Sequence, residues 1–505
     1  MIEGYPDRLS YRAGESVFFA CRTRAPRFFV EIARVGAERE VVWKQRDLPG
    51  SWHEVPSDAS ATGCDWPESF RYDLPRSLPS GYYEVVLRAV NESDGRLFEH
   101  LAFFVVRPSA GSLVPRRRML LVLATNTYNA YNDWGGPSLY TGENRVSFRR
   151  PFAPGFLRKP EPYVRYPNVT SIDDPEHEHF RSWADSHGLS RWSGSAGWYN
   201  WERVFVRWAE REGYAVDVAV SSDLEFHPEV LDGQQLVVSV GHDEYWSWGM
   251  RDTIETFIAG GGNVAFFSGN AVFWQVRFED EGATMVCYKA GYRDDPVYGT
   301  PAQQRLATLW CSRLVDRPEN HLTGVSFSRG GYVRMGRAVP RASGGYTTWR
   351  PGHWAFAGTG LRYGDVFGAS DVIVCYEVDG CELTLSPDDG LPVPTGRDGT
   401  PTDFTVLATA PAKLWSAEEL PSRYRSGDLG DLELVAEAIF GSASSANVAR
   451  LAHNHAVMGT YTRGGTVFTA GTTDWAYGLA GRDPDVGQIT RNVIERLLEP
   501  RTAAQ

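Results

Sequence analysis

Short apolar runs, each closed by Gly, Pro, Ser or Asp, follow one another through residues 10–107: SVFFACR, RFFVEIARV, GYYEVVLRAV and HLAFFVV. Their alternation and length predict β-strands separated by turns. The segment LPSGYYEVVLRA has the look of a late strand in an immunoglobulin-like sandwich, although the Cys–Trp–Cys spacing of true immunoglobulin domains is missing. Residues 1–107 are therefore expected to form a β-sandwich domain. The next stretch, 108–118 within RPSAGSLVPRRR, is polar, basic and proline-containing, and it reads as a linker.

From Met119 the period changes. MLLVLAT is a continuous apolar run of the kind buried on both faces, and AVDVAV, QLVVSV, NVAFFSG and GGTVFTAG repeat it further along. Between them lie amphipathic helices. WERVFVRWAEREGY (201–214) spaces Val204, Val206 and Trp208 among charges and ends at Gly213, and WGMRDTIETFIAGGG carries an apolar stripe of Met250, Ile254, Phe257 and Ile258. VGQITRNVIERLLE supplies a closing helix. Buried strands alternating with such helices imply right-handed crossovers and a mostly parallel, doubly wound sheet covered on both faces. Stretches at about 150–197 and 275–465 break the rhythm and read as β-rich insertions, the second including VIVCYEV (372–378) and DFTVLATA (403–410). The expectation is a multidomain α/β chain with its catalytic domain over 119–505.

In an open parallel sheet, ligands bind beyond the carboxyl ends of the strands. Here those ends carry chemistry. NTYNAYNDWGGPSLYTG follows the first strand, GHDEYW follows QLVVSV, NAVFW follows NVAFFSG, and TTDW follows TVFTAG. Tyr128, Tyr131, Tyr140, His242, Glu244, Asn270, Glu377 and Asp474 are thus expected at one edge.

Composition narrows what that edge does. A net charge of −12 without a basic block argues against nucleic acid or an anionic membrane as partner, and no apolar run reaches the roughly 18 residues of a membrane span. The start MIEGYPDRLS lacks the layout of a secretory signal, and six scattered cysteines suggest neither zinc ribbon nor disulfide scaffold, so a cytoplasmic location is expected. No GxSxG, HExxH, GxxxxGK[ST] or strand–GxGxxG–helix element is present, and no cysteine follows the strand ending at Val240. Carboxylate, imidazole and phenol remain, and phenolate and carboxylate oxygens suit a hard cation such as Fe(III).

These motifs resemble the large (β) subunit of N,N-dimethylformamidase. The family's H-x-E-Y element is matched by His242–Tyr245, its G-G-N element loosely by Ser268-Gly269-Asn270, its TY..AY turn by Tyr128–Tyr131, its GxSxY element by Gly136–Tyr140, and its gyEvD stretch by Cys375–Asp379. The resemblance implies a class I glutamine-amidotransferase-like domain after a β-sandwich. It further implies one mononuclear Fe(III) held by Tyr131, Tyr140 and Glu244, with Tyr128 open as a substitute for Tyr131. His242, Asn270 and Glu377 would surround the metal-activated water and the amide. On this reading the chain is an iron-dependent hydrolase that cleaves the C–N bond of a small amide or formamide. Trp134, Trp246, Phe273 and Trp274 would wall the pocket. Assembly as a homo-oligomer or with a separate small subunit stays open. Two other readings stand beside it: a non-catalytic carbohydrate-binding or scaffold protein that uses its 17 tryptophans for stacking, and a metal-free amidotransferase-like hydrolase.

Overall fold

The computed structural model describes residues 1–108, 118–165, 178–334, 342–417 and 430–499. Most of the expected linker, 109–117, lies outside the described residues, as do 166–177, 335–341 and 418–429 within the two expected insertions. Architecture is mixed α/β, in two compact units. One gathers residues 1–163, 184–234 and 277–287; the other gathers 164–183, 235–276 and 288–505.

In the first unit two antiparallel-rich sheets share one core. Ser16–Thr23 is flanked by Ile2–Pro6 and Glu68–Asp73. The second sheet runs Ser10–Tyr11, Leu97–Val106, Gly81–Val90, Arg27–Val35 and Arg39–Pro49 in spatial order. Period-two alternation explains the packing: Val17, Phe19 and Cys21 point inward to meet Val30, Ile32, Val85, Leu87 and Phe104. Phe19 stacks on Phe70 at 4.6 Å and meets the edge of Phe104 at 6.2 Å. Each large apolar side chain buried this way contributes roughly 1.5–3 kcal/mol.

The same unit holds the parallel pair Arg118–Leu123 and Ala215–Val220, with Met119 opposite Val216. Helix Glu202–Arg211 buries Glu202, Phe205, Val206 and Ala209. That stripe is rotated from the expected one: Val204 and Trp208 are only half-buried. The reason is polar as well as apolar, because Glu202 is drawn inward to accept the Tyr128 hydroxyl at 2.6 Å.

In the second unit the main sheet runs Leu236–His242, Asn263–Gly269, Gly465–Thr469, Asn454–Arg463, Thr405–Ala412, Tyr346–Thr348 and Val366–Phe367. Its first three strands are parallel and the rest antiparallel. The expectation of a mostly parallel sheet therefore gives way to a mixed one here. Gly464, at φ +77, closes a tight hairpin between Arg463 and Gly465, and a hairpin can join only antiparallel strands. The residues expected as insertions supply the antiparallel half. Helix Trp248–Ala259 starts at Ser247, whose side chain accepts from the Met250 amide, and it buries Met250, Arg251, Ile254 and Ile258. Helix Pro484–Leu498 is capped by Asp483 and tied to the sheet by Asn263 Nδ2, which donates to the Leu497 carbonyl at 2.7 Å.

Candidate active site

Strand Leu236–His242 is buried at every residue, so the chain leaves it with His242, Asp243 and Glu244 already below the surface. Two straps hold them. Val272, Phe273 and Trp274 give their amide N–H groups to the Asp243 and Glu244 carbonyls at 2.9–3.0 Å. Glu377 receives the Thr473 amide on its carbonyl, and Asp379 N donates to Gly471 O. The turns after three neighbouring strands are thereby laced together at one point.

The lacing demands unusual backbone. Asn270 (φ 47), Val272 (φ 58) and Tyr376 (φ 54) all occupy the left-handed region. For a β-branched valine this is an outlier, and such strain persists where the surroundings over-determine it. Gly269 has no room for a side chain: a Cβ there would approach Thr473 N to 2.4 Å and Glu377 O to 2.6 Å.

At the centre stands the His242 imidazole. Its Nε2 lies 2.7 Å from Glu377 Oε2, 3.3 Å from Glu244 Oε2 and 3.4 Å from Asn270 Nδ2. Asn270 Nδ2 also donates to Glu377 Oε2 at 3.1 Å. At 2.7 Å one proton bridges His242 Nε2 and Glu377 Oε2. Glu244 Oε1 accepts from the Trp274 indole at 2.7 Å, which fixes the carboxylate's plane. His242, Glu244, Asn270 and Glu377 are each at most 5% exposed. Asn270 Oδ1 is buried with no hydrogen-bond partner, an acceptor held ready in a polar nest.

Charges around this centre follow from burial. Asp243 accepts from Ser239 Oγ at 2.7 Å, and its carboxyl is pushed up to about 6 by desolvation. Asp379 bonds the Ala271 amide and lies well above the usual carboxylate range for the same reason. Asp431 accepts the Tyr332 hydroxyl at 2.8 Å; burial, with the repulsion of Glu377 and Glu244, raises it to about 6. The Lys289 ammonium lies 5.3 Å from the Trp274 ring and 5.4 Å from Tyr245. Among the described residues no group of three or more His, Cys, Asp or Glu is placed to hold a metal ion.

His242, Glu244, Asn270 and Glu377, all expected from the sequence, are thus brought together within the second unit. Asp474, expected at the same edge, is instead held by Arg165 at 3.0 Å, and Trp246 packs near Phe266 at 6.3 Å. Tyr131 and Tyr140 belong to the first unit. Their rings stack at 4.1 Å with planes 22° apart, and Trp192 lies beside both, 6.1 Å from Tyr131 and 5.6 Å from Tyr140. Tyr128 gives its hydroxyl to Glu202. Trp134 donates to Glu3 at 2.9 Å and meets Trp66 edge-on. Sequence reasoning missed Tyr332, Asp431 and Lys289. Asp379 had a signal: it lies two residues beyond Glu377 on one strand, hence on the same face.

A family model described as N,N-dimethylformamidase beta subunit-like, C-terminal, matches residues 30–488. Two curated relatives, N,N-dimethylformamidase beta subunits from an Alcaligenes species and from Paracoccus aminophilus, are each 25% identical, over 236 and 239 residues. The alignments cover 43% of this chain and 29% of each relative, so the chain spans less than a third of the proteins it matches. Among solved structures, a family 123 glycoside hydrolase from Clostridium perfringens overlaps 24% of this chain and 26% of its own, at 8% identity and a TM-score of 0.10. That likeness bears no weight for the fold.

Proposed function

The chain belongs to the N,N-dimethylformamidase beta subunit-like family, and from that premise we propose that it hydrolyses the C–N bond of a small amide or formamide. The observation that carries the reading is the imidazole of His242 buried between two carboxylates, with Asn270 bridging it to Glu377. In this reading residues 119–505 are the glutamine-amidotransferase-like catalytic domain, doubly wound about its parallel strands. Residues 1–107 are an immunoglobulin-like sandwich, and the chain is cytoplasmic, pairing with a small subunit or with its own copies.

Hydrolysis needs a proton removed from water and one delivered to the departing amine. Glu377 and His242 share one hydrogen bond at 2.7 Å, so either can hold the proton while the other receives the next. With Nδ2 given to Glu377, Asn270 presents Oδ1, which suits an O–H of the attacking water better than a developing oxyanion. Glu244, fixed by Trp274, lies 3.3 Å from the imidazole.

The ligand set that the resemblance implies comprises Tyr131, Tyr140 and Glu244. Two phenols and a carboxylate are hard oxygen donors, and that chemistry fits Fe(III). Bound there, iron would polarise the amide carbonyl and acidify water. The test is to purify the protein without chelators, measure iron and visible absorption, and follow release of dimethylamine and formate from N,N-dimethylformamide. Activity lost in His242→Ala and Glu377→Gln supports the catalytic reading, and full activity in both sinks it. A colourless, iron-free protein with undiminished turnover removes the metal from it.

A further inference from the structure

Away from the catalytic cluster, the first unit contains a cavity of about 390 Å³ bordered by Leu157, Lys159, Trp198, Arg203 and Arg207. Lys159 is 4% exposed, and its ammonium donates to Asn200 Oδ1 at 2.6 Å and to Ser193 O at 3.0 Å. Among the described residues no carboxylate pairs with it. Buried lysines ordinarily have a counter-charge, because an isolated ammonium loses its hydration. Burial, aided by Arg203, pushes this one down to about 7.

The carboxylates on the cavity's border are already engaged. Glu84 serves both Arg39 and Arg158, at 2.8 and 2.7 Å. Glu38 faces Arg211 at 3.6 Å. Glu161 takes the Tyr199 hydroxyl and is 3.8 Å from Arg203, with its side chain 63% exposed. Arg203 lies 3.8 Å over the Tyr199 ring, and its buried Nε has no hydrogen-bond partner. Arg207, one turn along helix Glu202–Arg211 and so on the same face, pairs with no carboxylate among the described residues. The Arg207 cation, the buried Lys159 amine and one unpaired guanidinium N–H of Arg203 therefore surround a space walled by Leu157 and Trp198.

We propose that this cavity binds a small organic carboxylate, its charged end meeting Arg203, Arg207 and Lys159 and its apolar body lying against Leu157 and Trp198. The volume falls in the range of small-molecule pockets. A bare inorganic anion would leave the apolar walls unfilled, and a neutral molecule would leave the cations unmatched.

The experiment titrates the full chain with benzoate, benzamide and inorganic phosphate, read by calorimetry and tryptophan fluorescence. Benzoate is expected to bind at least about tenfold more tightly than either other probe, the equivalent of one charge-assisted hydrogen bond. Arg203→Gln/Arg207→Gln should weaken benzoate by a similar factor or more, while amide hydrolysis is unchanged. Arg207→Gln breaks no ion pair and carries the test alone if the double variant melts early. Absence of benzoate binding, equal binding of benzamide or phosphate, or affinity indifferent to the arginines would each overturn the proposal.

Discussion

His242 has three polar neighbours within 3.4 Å and lies below the surface, so single atoms there have large consequences. Glu377→Gln keeps the shape but replaces the carboxyl that shares a proton with the imidazole. Steady-state kinetics should show kcat falling by about 10²–10⁴, the range of general acid–base groups, with KM changing far less. Tyr332 lies opposite Glu377 in the strand pairing, and its hydroxyl reaches Asp431 rather than His242, so Tyr332→Phe should lower kcat by a much smaller factor under the same assay. A second buried carboxyl makes a pH prediction. Glu319 accepts from Ser326 Oγ, has its other oxygen unpartnered, and is raised by burial from 4.5 to about 7. A folded-state value above the unfolded one means the neutral form stabilises the fold. That contribution is complete below about pH 4.5 and is lost as pH rises through about 7. Urea unfolding at pH 5 and pH 8 should therefore show Glu319→Gln gaining on the parent at the higher pH, by up to roughly 3 kcal/mol.

At the scale of elements, the site depends on strand ends that approach more closely than side chains allow. Gly269 lies against the backbone of Thr472, Thr473 and Glu377, and the last two cannot move apart without breaking the Thr473–Glu377 hydrogen bond. Gly269→Ala is expected to cost at least about 1–3 kcal/mol, as overpacking does, and to reduce activity by displacing Asn270 and Glu377. Denaturant midpoints and the amide assay check the two halves. The cap at Asp483 is a simpler case. Its carboxylate accepts the Asp485 and Val486 amides, and Asp483→Ala should destabilise by about 1 kcal/mol without touching catalysis.

Across the whole molecule, all six cysteines are buried and none forms a disulfide. A thiol reagent should find essentially none in the folded protein and six after denaturation, and early reaction would show that a unit opens on its own. Among the described residues no helix is long and apolar enough to cross a membrane. The two compact units are built from interleaved segments: residues 277–287 pack with the first and 235–276 with the second. A mutation that loosens Phe19 or Phe104 is therefore expected to lower the melting temperature of a unit that also contains Tyr131 and Tyr140.

The order of hydrophobic and polar residues by itself determined the strands, the capped helices, and the placing of His242, Glu244, Asn270 and Glu377 at strand ends, because periodicity and turn chemistry are local. It also pointed to the family. Only the tertiary structure decided that the sheet of the second unit is mixed, since a hairpin at Gly464 sets direction through contacts hundreds of residues from the first strand. It alone turned Glu202 inward to Tyr128, set Asp474 on Arg165, and brought Tyr332, Asp431 and Lys289 to the cluster. Those pairings join residues distant along the chain, and burial, which fixes their charge, exists only once the chain has packed.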